Sequence, residues 1–200
     1  MADTTLICTF YSFEPIIAST TAYSPKKIIL LVATNSLKDP KVTANISRAE
    51  GVYKGIVPVS VVKVDESDML AVAKETVRLI EAEAASNRVV VNISGGWKLL
   101  AQGALCGCYA RPDKVDKIIC NDLSEPNKIV ELPKLTFGLS ATKRELLEAI
   151  ARRDGKPISD IAKKLDKTAG MVYQHLKELK ELGYVDEKFE VTLAGKLALV

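Results

Sequence analysis

The segment Asn92 to Lys98, NISGGWK, combines amide and hydroxyl side chains, two glycines, the only tryptophan and a lysine. It follows a run of branched apolar residues and precedes an apolar helical pattern, which predicts a strand-to-helix turn at 94–96. Glycines allow close approach of a backbone, and a helix N-terminus supplies unpaired N–H groups and a positive dipole. With Lys98, and with Asn92 and Ser94 as hydrogen-bonding groups, this turn is predicted to bind an anion.

Trp97 adds a flat aromatic face beside the predicted anion site. A nucleobase stacks well on such a face, which favours a nucleotide-like anion as the occupant. The turn has neither the GxxxxGK(S/T) pattern of a Walker A loop nor the GxGxxG pattern of dinucleotide-binding folds. A purely structural interpretation stays open, in which Gly95 and Gly96 form a tight turn and Trp97 packs in the core.

The elements that would position this turn alternate between strand and helix from residue 1 to about 132. Strand patterns occupy 5–10, 27–34, 56–64, 88–93, 115–120 and, more weakly, 128–132, and helical patterns occupy 14–22, 67–84 and 97–110. The polar segment 35–54 carries no predicted element. Continuous Val/Ile runs are typical of parallel strands covered on both faces. The predicted fold class is therefore α/β, with a Rossmann-like, open, mostly parallel sheet that binds ligands at the carboxyl ends of its strands.

The helical pattern at 97–110 consists almost entirely of Leu, Ala, Gly and Cys. Such a helix is expected to be buried on every side, which one face of a sheet does not provide. Its small residues Ala101, Gly103, Ala104 and Gly107 are expected to allow close approach of a partner helix. We therefore predict a homodimer in which two glycine turns meet near a two-fold axis.

The pattern changes at 133–139, which is predicted to be a linker between a ligand-binding and dimerisation domain at 1–132 and a second domain at 140–200. The second domain shows helical patterns at 142–155, 157–165 and 169–183, the first and third ending at Gly155 and Gly183, and then a hairpin at 184–195. This order is that of a small winged helix-turn-helix, which places its third helix in the DNA major groove.

The second domain is predicted to bind double-stranded DNA. Gln174 lies opposite the apolar face of the third helix and Tyr173 lies at its flank. Both are candidates for base contacts, since glutamine suits adenine. Thr168 is placed to cap that helix and to meet a phosphate. The candidates for phosphate contacts are Lys163, Lys164, Lys167 and Lys177. Because residues 139–200 are only weakly basic, use of this domain for protein contacts stays open.

Composition narrows the class of protein. The 200 residues are 48% hydrophobic and 26% charged with a net charge of +3, which is typical of a folded globular chain. No signal peptide and no apolar run of about 18 residues is found, so we expect a cytoplasmic protein without a membrane span. Cys8, Cys106, Cys108 and Cys120 lack CxxC spacing and the only histidine, His175, is distant, so no metal or cofactor is predicted.

Two segments carry family resemblances. MVYQHLKELKELGYV (171–185) resembles the recognition helix and following strand of MarR- and ArsR-like winged-helix families. The whole chain resembles the Csa3 family, archaeal CRISPR-associated regulators with a CARF (CRISPR-associated Rossmann fold) domain. NISGGWK resembles the N-x-T-G-G-T-K form of the second CARF motif, and CTFYSFEP stands where the first motif, G-F-(D/N)-E, usually lies. Ser12 replaces the glycine of the first motif and Trp97 replaces a small polar residue of the second, which affects loop shape and ligand fit.

The Csa3 resemblance implies a receptor for cyclic oligoadenylate, with cyclic tetra-adenylate as the expected ring, bound across the dimer axis and controlling DNA binding. It implies ligand contacts at Asn92, Ser94, Gly95, Gly96, Trp97 and Lys98, and by carry-over at Thr9, Phe10, Ser12, Phe13 and Asn35. Two alternatives stay open. One is slow cleavage of the ring, with Lys98 and either Ser94 or Ser12 stabilising the charge, and the other is a repressor that senses another small anion. Because residues 1–132 contain no histidine to act as acid or base, the chain is expected not to be an enzyme.

Overall fold

The computed structural model describes residues 2–122, 124–125, 128–135, 137–152 and 157–200. The chain forms two compact units, 1–136 and 137–200. Among the described residues, no helix combines the length and apolar character that crossing a membrane would require.

The first unit is built on a six-stranded sheet with the strand order β3-β2-β1-β4-β5-β6. The strands are β1 (Thr4–Phe10), β2 (Lys27–Ala33), β3 (Val59–Val64), β4 (Arg88–Asn92), β5 (Lys117–Asn121) and β6 (Ile129–Leu132). Strands β1 to β5 are parallel, and β6 is antiparallel to β5. The predicted mostly parallel α/β sheet is therefore confirmed. Its strand order reverses between β1 and β4, and the crevice at such a point is where open α/β sheets bind ligands.

Helices cover both faces of this sheet. They are α1 (Glu14–Tyr23), α2 (Pro40–Tyr53), α3 (Met69–Ala84) and α4 (Lys98–Ala110), with a 3-10 turn at Asn35–Lys38. Successive strand residues point to opposite faces: Ile7 of β1 joins the core against α3 and α4, and Cys8 joins the core against α1 and α2. Burial on both faces explains why the strands are continuous apolar runs.

Helix α2 lies in the segment for which the sequence analysis predicted no element. Only Val42 and Ala49 of this helix are fully buried, so its apolar stripe is too narrow to stand out in a periodicity search. The helix begins at a distinct local signal, because the Asp39 carboxylate accepts the Lys41 N–H at 2.9 Å and Pro40 occupies the first turn. An Asp-Pro start of this kind favours helix initiation whatever the apolar pattern.

Within a single chain, helix α4 buries one face, and cover of its remaining faces by a partner subunit stays a prediction. Its buried residues are Leu100, Gly103, Ala104, Gly107 and Cys108. A Cβ atom at Gly103 would lie 2.6 Å from the Val72 side chain, and one at Gly107 would lie 2.8 Å from the Ala73 carbonyl oxygen. Both contacts are with α3 of the same chain. The prediction that these two glycines serve a partner helix is therefore wrong, because the close approach they allow is already used within the subunit.

The second unit contains α5 (Ala141–Ala151), α6 (Ile158–Lys164), α7 (Ala169–Glu181) and α8 (Leu193–Ala198). Leu147, Ile161 and Leu176 come from the first three of these helices and share one core. The C-terminal helix-turn-helix region is confirmed. The predicted end of the first helix at Gly155 lies outside the described residues.

The predicted hairpin is shorter than expected. Val185 and Val191 form a single antiparallel bridge, and α8 then occupies residues assigned to the second strand. The reason is a cap, since Thr192 Oγ1 accepts the Gly195 N–H at 3.1 Å and starts a helix. A Cβ at Gly195 would lie 2.2 Å from the Tyr184 carbonyl oxygen, so a glycine is needed for α8 to pack there.

Candidate functional site

The turn after β4, Ser94–Gly95–Gly96 (the diglycine turn), lies directly over the end of β1. Cys8 pairs with Asn92 in the parallel register, and a Cβ at Gly95 would lie 2.3 Å from the Thr9 carbonyl oxygen. Gly96 has a φ of +79°, a conformation that residues with a side chain rarely adopt. The first glycine is therefore required by a contact and the second by its backbone conformation.

A buried hydrogen-bond network holds the diglycine turn. The Asn92 side chain is 1% exposed, and its Nδ2 donates to Ser19 Oγ at 2.6 Å and to Asn121 Oδ1 at 2.8 Å. Its Oδ1 accepts the Ser94 backbone N–H at 2.8 Å, and Ser94 Oγ accepts the Asn121 N–H at 2.6 Å. Asn92 and Ser94 thus shape the turn. Ser19 and Asn121 were missed because they lie on α1 and β5, far from the motif in sequence.

Trp97 projects from the end of the diglycine turn and is 60% exposed, so the interpretation that it packs in the core does not hold. Its indole Nε1–H donates to Ser36 Oγ at 2.9 Å, and Ser36 belongs to the 3-10 turn after β2. Because β1 lies between β4 and β2, the indole spans the loop after β1. A cavity of about 280 Å³, the aromatic cavity, is lined by Tyr11, Gly96 and Trp97.

Helix α4 begins at Lys98, immediately after two of the residues that line the aromatic cavity. Trp97 stands at the N-cap position and makes no side-chain capping bond, so the first N–H groups of the helix have no side-chain acceptor there. Lys98 is exposed and forms no ion pair with any residue that the structure describes. Open N–H groups, a helix dipole and a cation on one turn are the features of an anion site.

The loop after β1 divides into core residues and surface residues. Thr9, Phe10 and Phe13 are 3%, 1% and 2% exposed, so their side chains lie below the surface and support the site from inside. Ser12 is partly exposed and is the carry-over residue of this loop that a ligand could reach. Tyr11 was not among the predicted site residues, because the motif comparison passes over it, yet it lines the aromatic cavity.

Tyr11 is held in place by Asp39. The Tyr11 hydroxyl donates to Asp39 Oδ2 at 2.8 Å, and this bond raises the pKa of Tyr11. The Lys41 backbone N–H, followed by the Tyr11 hydroxyl, lowers the pKa of Asp39, so a neutral phenol faces an ionised carboxylate at physiological pH. Asn35 is exposed in the neighbouring 3-10 turn, where its Oδ1 accepts a bond from Lys38 Nζ at 3.2 Å.

In the second unit, α7 presents a polar face to solvent. Tyr173 is 54% exposed and Gln174 is also exposed, whereas Val172 on the opposite face is buried. Thr168 Oγ1 accepts the Met171 N–H at 3.4 Å, so Thr168 caps this helix as its position in the sequence suggests. The two candidates for base contacts therefore lie where a DNA edge could reach them.

The four candidate lysines of this unit differ in their surroundings. Lys163, Lys164 and Lys177 are exposed, and none of them pairs with a carboxylate of the described residues. Lys167 lies 3.8 Å from the Glu145 carboxylate, and its side chain is only 22% exposed. Lys163, Lys164 and Lys177 are therefore better placed for phosphate contacts than Lys167.

Glu178 of α7 stands where a carboxylate could repel a phosphate. Its Oε2 lies 2.9 Å from Lys143 Nζ, and this bond, followed by one from His175, lowers the pKa of Glu178. Lys143 thus balances the negative charge within the unit, which reduces its effect on an approaching phosphate.

Comparison with known families gives a match for each unit. Residues 4–120 match the family HFX_2341_N, described as an N-terminal domain. Residues 140–187 match the family of bacterial regulatory proteins of the arsR type. No curated protein matches the sequence at a significant level.

Solved structures resemble the chain over nearly all of its length. Enterococcus italicus Csm6 bound to cyclic hexa-2′-fluoro-hexa-dAMP is 14% identical, with a TM-score of 0.56, over 91% of this chain and 55% of that one. Can2 from Sulfobacillus thermosulfidooxidans in complex with cyclic tetra-adenylate is 16% identical, with a TM-score of 0.48, over 97% of this chain and 62% of that one. The chain thus spans less than two thirds of the length of either protein. At these identities the likeness to Csm6 shows a shared fold.

Proposed function

Because the chain belongs to the HFX_2341_N family of N-terminal domains, and continues into an ArsR-type helix-turn-helix, we propose that it is a transcriptional regulator whose DNA binding responds to cyclic oligoadenylate. This pair of units is consistent with a Csa3-like regulator, the resemblance that the sequence motifs indicate.

The observation that carries the ligand proposal is the diglycine turn. It brings three features together at the point where the strand order reverses: the uncapped N-terminus of α4, the aromatic cavity, and Lys98, which forms no ion pair with a described residue. A phosphodiester would bind the helix N-terminus and Lys98, and a base would fit the aromatic cavity. A cyclic oligoadenylate offers both groups in every repeat, and the ligand named for the Csm6 structure is a cyclic oligonucleotide as well.

The proposed symmetry of the protein favours a ring with an even number of nucleotides, and the family resemblance favours a ring of four. We infer a homodimer, because the outer face of α4 carries Leu99, which is 44% exposed, and the half-buried Cys106. Two diglycine turns related by a two-fold axis suit a ring with an even number of nucleotides. Cyclic tetra-adenylate is the ring we propose, with Ser12, Asn35, Gly95, Gly96, Trp97 and Lys98 nearest to it and Thr9, Phe10, Phe13, Asn92 and Ser94 supporting them.

The second unit supplies the proposed output. Tyr173 and Gln174 would read base edges in the major groove, while Lys163, Lys164 and Lys177 would bind phosphates. Ligand binding changes DNA affinity only if the two DNA-binding states bind the ligand with different affinity.

The test measures DNA affinity by fluorescence anisotropy, using a duplex that the protein itself selects from a random pool. Cyclic tetra-adenylate should change the Kd for this duplex by about fivefold or more, the usual lower range of allosteric coupling. Lys98→Ala should abolish the response by weakening ligand binding about tenfold to hundredfold, as loss of a charged hydrogen bond does, and Lys74→Ala on α3 is the matched control. Unchanged DNA affinity despite ligand binding measured by calorimetry would reject the coupling.

We propose that the chain is a regulator and not a ring nuclease. Its single histidine, His175, lies in the second unit, so the first unit has no imidazole to act as general acid or base. Ser94 Oγ, one of the two serines considered for this role, is already bonded to Asn92 and Asn121. Incubating cyclic tetra-adenylate with the protein and separating the products by chromatography tests this. Linear products that disappear in Lys98→Ala would establish cleavage instead.

A further inference from the structure

We propose that the aromatic cavity takes one nucleobase of the ligand in each subunit, and that Trp97, oriented by Ser36, determines how well that base fits. The proposal rests on the proposed function and goes further, because it assigns a base pocket and a specificity-determining pair that no family motif contains. Tyr11 and Ser36 lie outside the predicted site, and Trp97 departs from the motif pattern.

The indole of Trp97 is oriented before any ligand arrives. It is 60% exposed, yet its Nε1–H donates to Ser36 Oγ at 2.9 Å. Ser36 is only 4% exposed, so the hydrogen bond attaches the exposed ring to an acceptor in the interior. A binding side chain that is already ordered loses less conformational freedom when its ligand binds.

Tyr11, the other aromatic side chain that lines the cavity, is also held by hydrogen bonds. The Tyr11 hydroxyl donates to Asp39 at 2.8 Å, and the Tyr11 carbonyl oxygen accepts from Asn45 Nδ2 at 3.2 Å. Both the tip of this side chain and its backbone are therefore bonded to neighbouring elements. Gly96 completes the lining without a side chain, because its φ of +79° disfavours other residues and a Cβ there would lie 2.4 Å from Leu100 Cδ2.

The chemistry of the surroundings favours a nucleobase over other occupants. A simple anion would use the α4 N-terminus and Lys98 but would gain nothing from two aromatic walls. An aliphatic ligand would use the walls but not the cation at the next residue. A base with its own phosphate satisfies both, since the ring stacks on the aromatic faces while the phosphate lies at the helix end.

Trp97 is the only tryptophan of the chain, so its own fluorescence tests the proposal. Titrating the full-length protein with cyclic tetra-adenylate should quench Trp97 emission as a base stacks on the indole. Calorimetry on the same sample measures the ligand affinity without relying on Trp97 fluorescence.

Three variants separate the contributions. Trp97→Ala should weaken ligand affinity roughly tenfold to hundredfold, the range expected for one lost base stack. Ser36→Ala keeps the indole but frees it, so affinity should fall only about twofold to tenfold. Trp97→Phe keeps a stacking ring without the N–H, and its affinity should resemble that of Ser36→Ala. Because the Trp97 side chain is mainly in solvent, the Trp97 variants should stay folded and lose only the stability that its hydrogen bond to Ser36 supplies.

The outcomes distinguish this inference from the proposed function. If calorimetry detects binding, while Trp97 emission stays constant and Trp97→Ala binds as tightly as the parent, the base pocket is rejected and the sensor proposal stands. If cyclic tri-, tetra- and hexa-adenylate all fail to bind the parent protein, both are rejected. Quenching together with the graded losses in the three variants supports the base pocket.

Discussion

The two glycines of the diglycine turn are adjacent, but they are needed for different physical reasons. Gly95 passes so close to the end of β1 that a Cβ would overlap the Thr9 carbonyl oxygen at 2.3 Å. Gly96 adopts a left-handed conformation, so a side chain there would be strained whatever space is available. A motif records both positions only as glycine.

Gly95→Ala should destabilise the first unit. The new methyl group meets backbone, which cannot rotate away, so we expect a loss of about 1–3 kcal/mol in the free energy of unfolding. Urea unfolding followed by circular dichroism measures this. Gly51→Ala is the matched control, because nothing lies within 4 Å of its Cβ position, and an alanine inside a helix should stabilise by about 0.5–1 kcal/mol. A Gly95→Ala protein as stable as the parent would contradict the described turn.

Glu83 is the centre of a second buried polar cluster. This cluster lies at the amino ends of the strands, whereas the candidate site lies at their carboxyl ends. Glu83 is 9% exposed, and its carboxylate accepts bonds from Lys27 Nζ at 2.6 Å and Thr5 Oγ1 at 3.0 Å. Burial by itself would raise the pKa of Glu83, but the bonds from Lys27 and Thr5 outweigh it and the pKa is lowered.

This lowered pKa predicts a pH dependence of stability. An acid whose pKa is lower in the folded state stabilises the fold above its unfolded-state pKa of about 4.3, and this stabilisation is lost as the pH falls through the folded value. Glu83→Gln should therefore cost about 1–3 kcal/mol at pH 7, and the difference from the parent should shrink below pH 4. Urea unfolding at several pH values tests this. Glu14→Gln, at an exposed ion pair of 4.0 Å, should change stability by less than about 0.5 kcal/mol.

At the scale of elements, α7 separates residues that position DNA from residues that read it. Lys177→Ala should weaken binding to all duplexes equally and lower the slope of log Kd against log salt by about 1. Gln174→Ala should instead relax the preference for one base pair, by about 1–3 kcal/mol. Anisotropy titrations at several salt concentrations, with selected and scrambled duplexes, distinguish the two effects. If neither variant alters DNA affinity, this helix does not contact DNA and the alternative of a protein-binding winged helix is favoured.

Helices α2 and α4 show where periodicity misleads. In α2 the apolar stripe is narrow, and the Asp39 cap with Pro40 carries the signal that starts the helix. In α4 the composition looks apolar all round, but its glycines face α3 and leave the other face open. The apolar content of a helix predicts that the helix is packed against other elements. Which of its faces is packed depends on the elements that lie beside it in the tertiary structure.

At the scale of the whole molecule, the open face of α4 bears on the proposed dimer. Cys106 is partly exposed within one chain, so a subunit that covers it would also bury any charge placed there. Cys106→Lys should weaken dimerisation by at least about tenfold, because an unpaired charge would be buried in an apolar contact. Light scattering after size-exclusion chromatography measures this, with Lys74→Glu on α3 as control. A parent protein that is monomeric at tens of micromolar would reject the dimer and with it the two-fold ligand site.

Except for α2, the sequence alone determined the alternation of strands and helices. It also determined the helix-turn-helix order and the position of the diglycine turn, because these depend on local patterns of apolar residues, glycines and caps. Only the tertiary structure decided which side chains meet at that turn. Tyr11 follows β1 and Asn121 ends β5, and these two strands flank β4 in the sheet. Ser36 follows β2, which lies on the other side of β1. The same packing placed Phe10 and Phe13 in the core and Trp97 in solvent. Strand order and burial are properties of long-range packing, which a single sequence does not display.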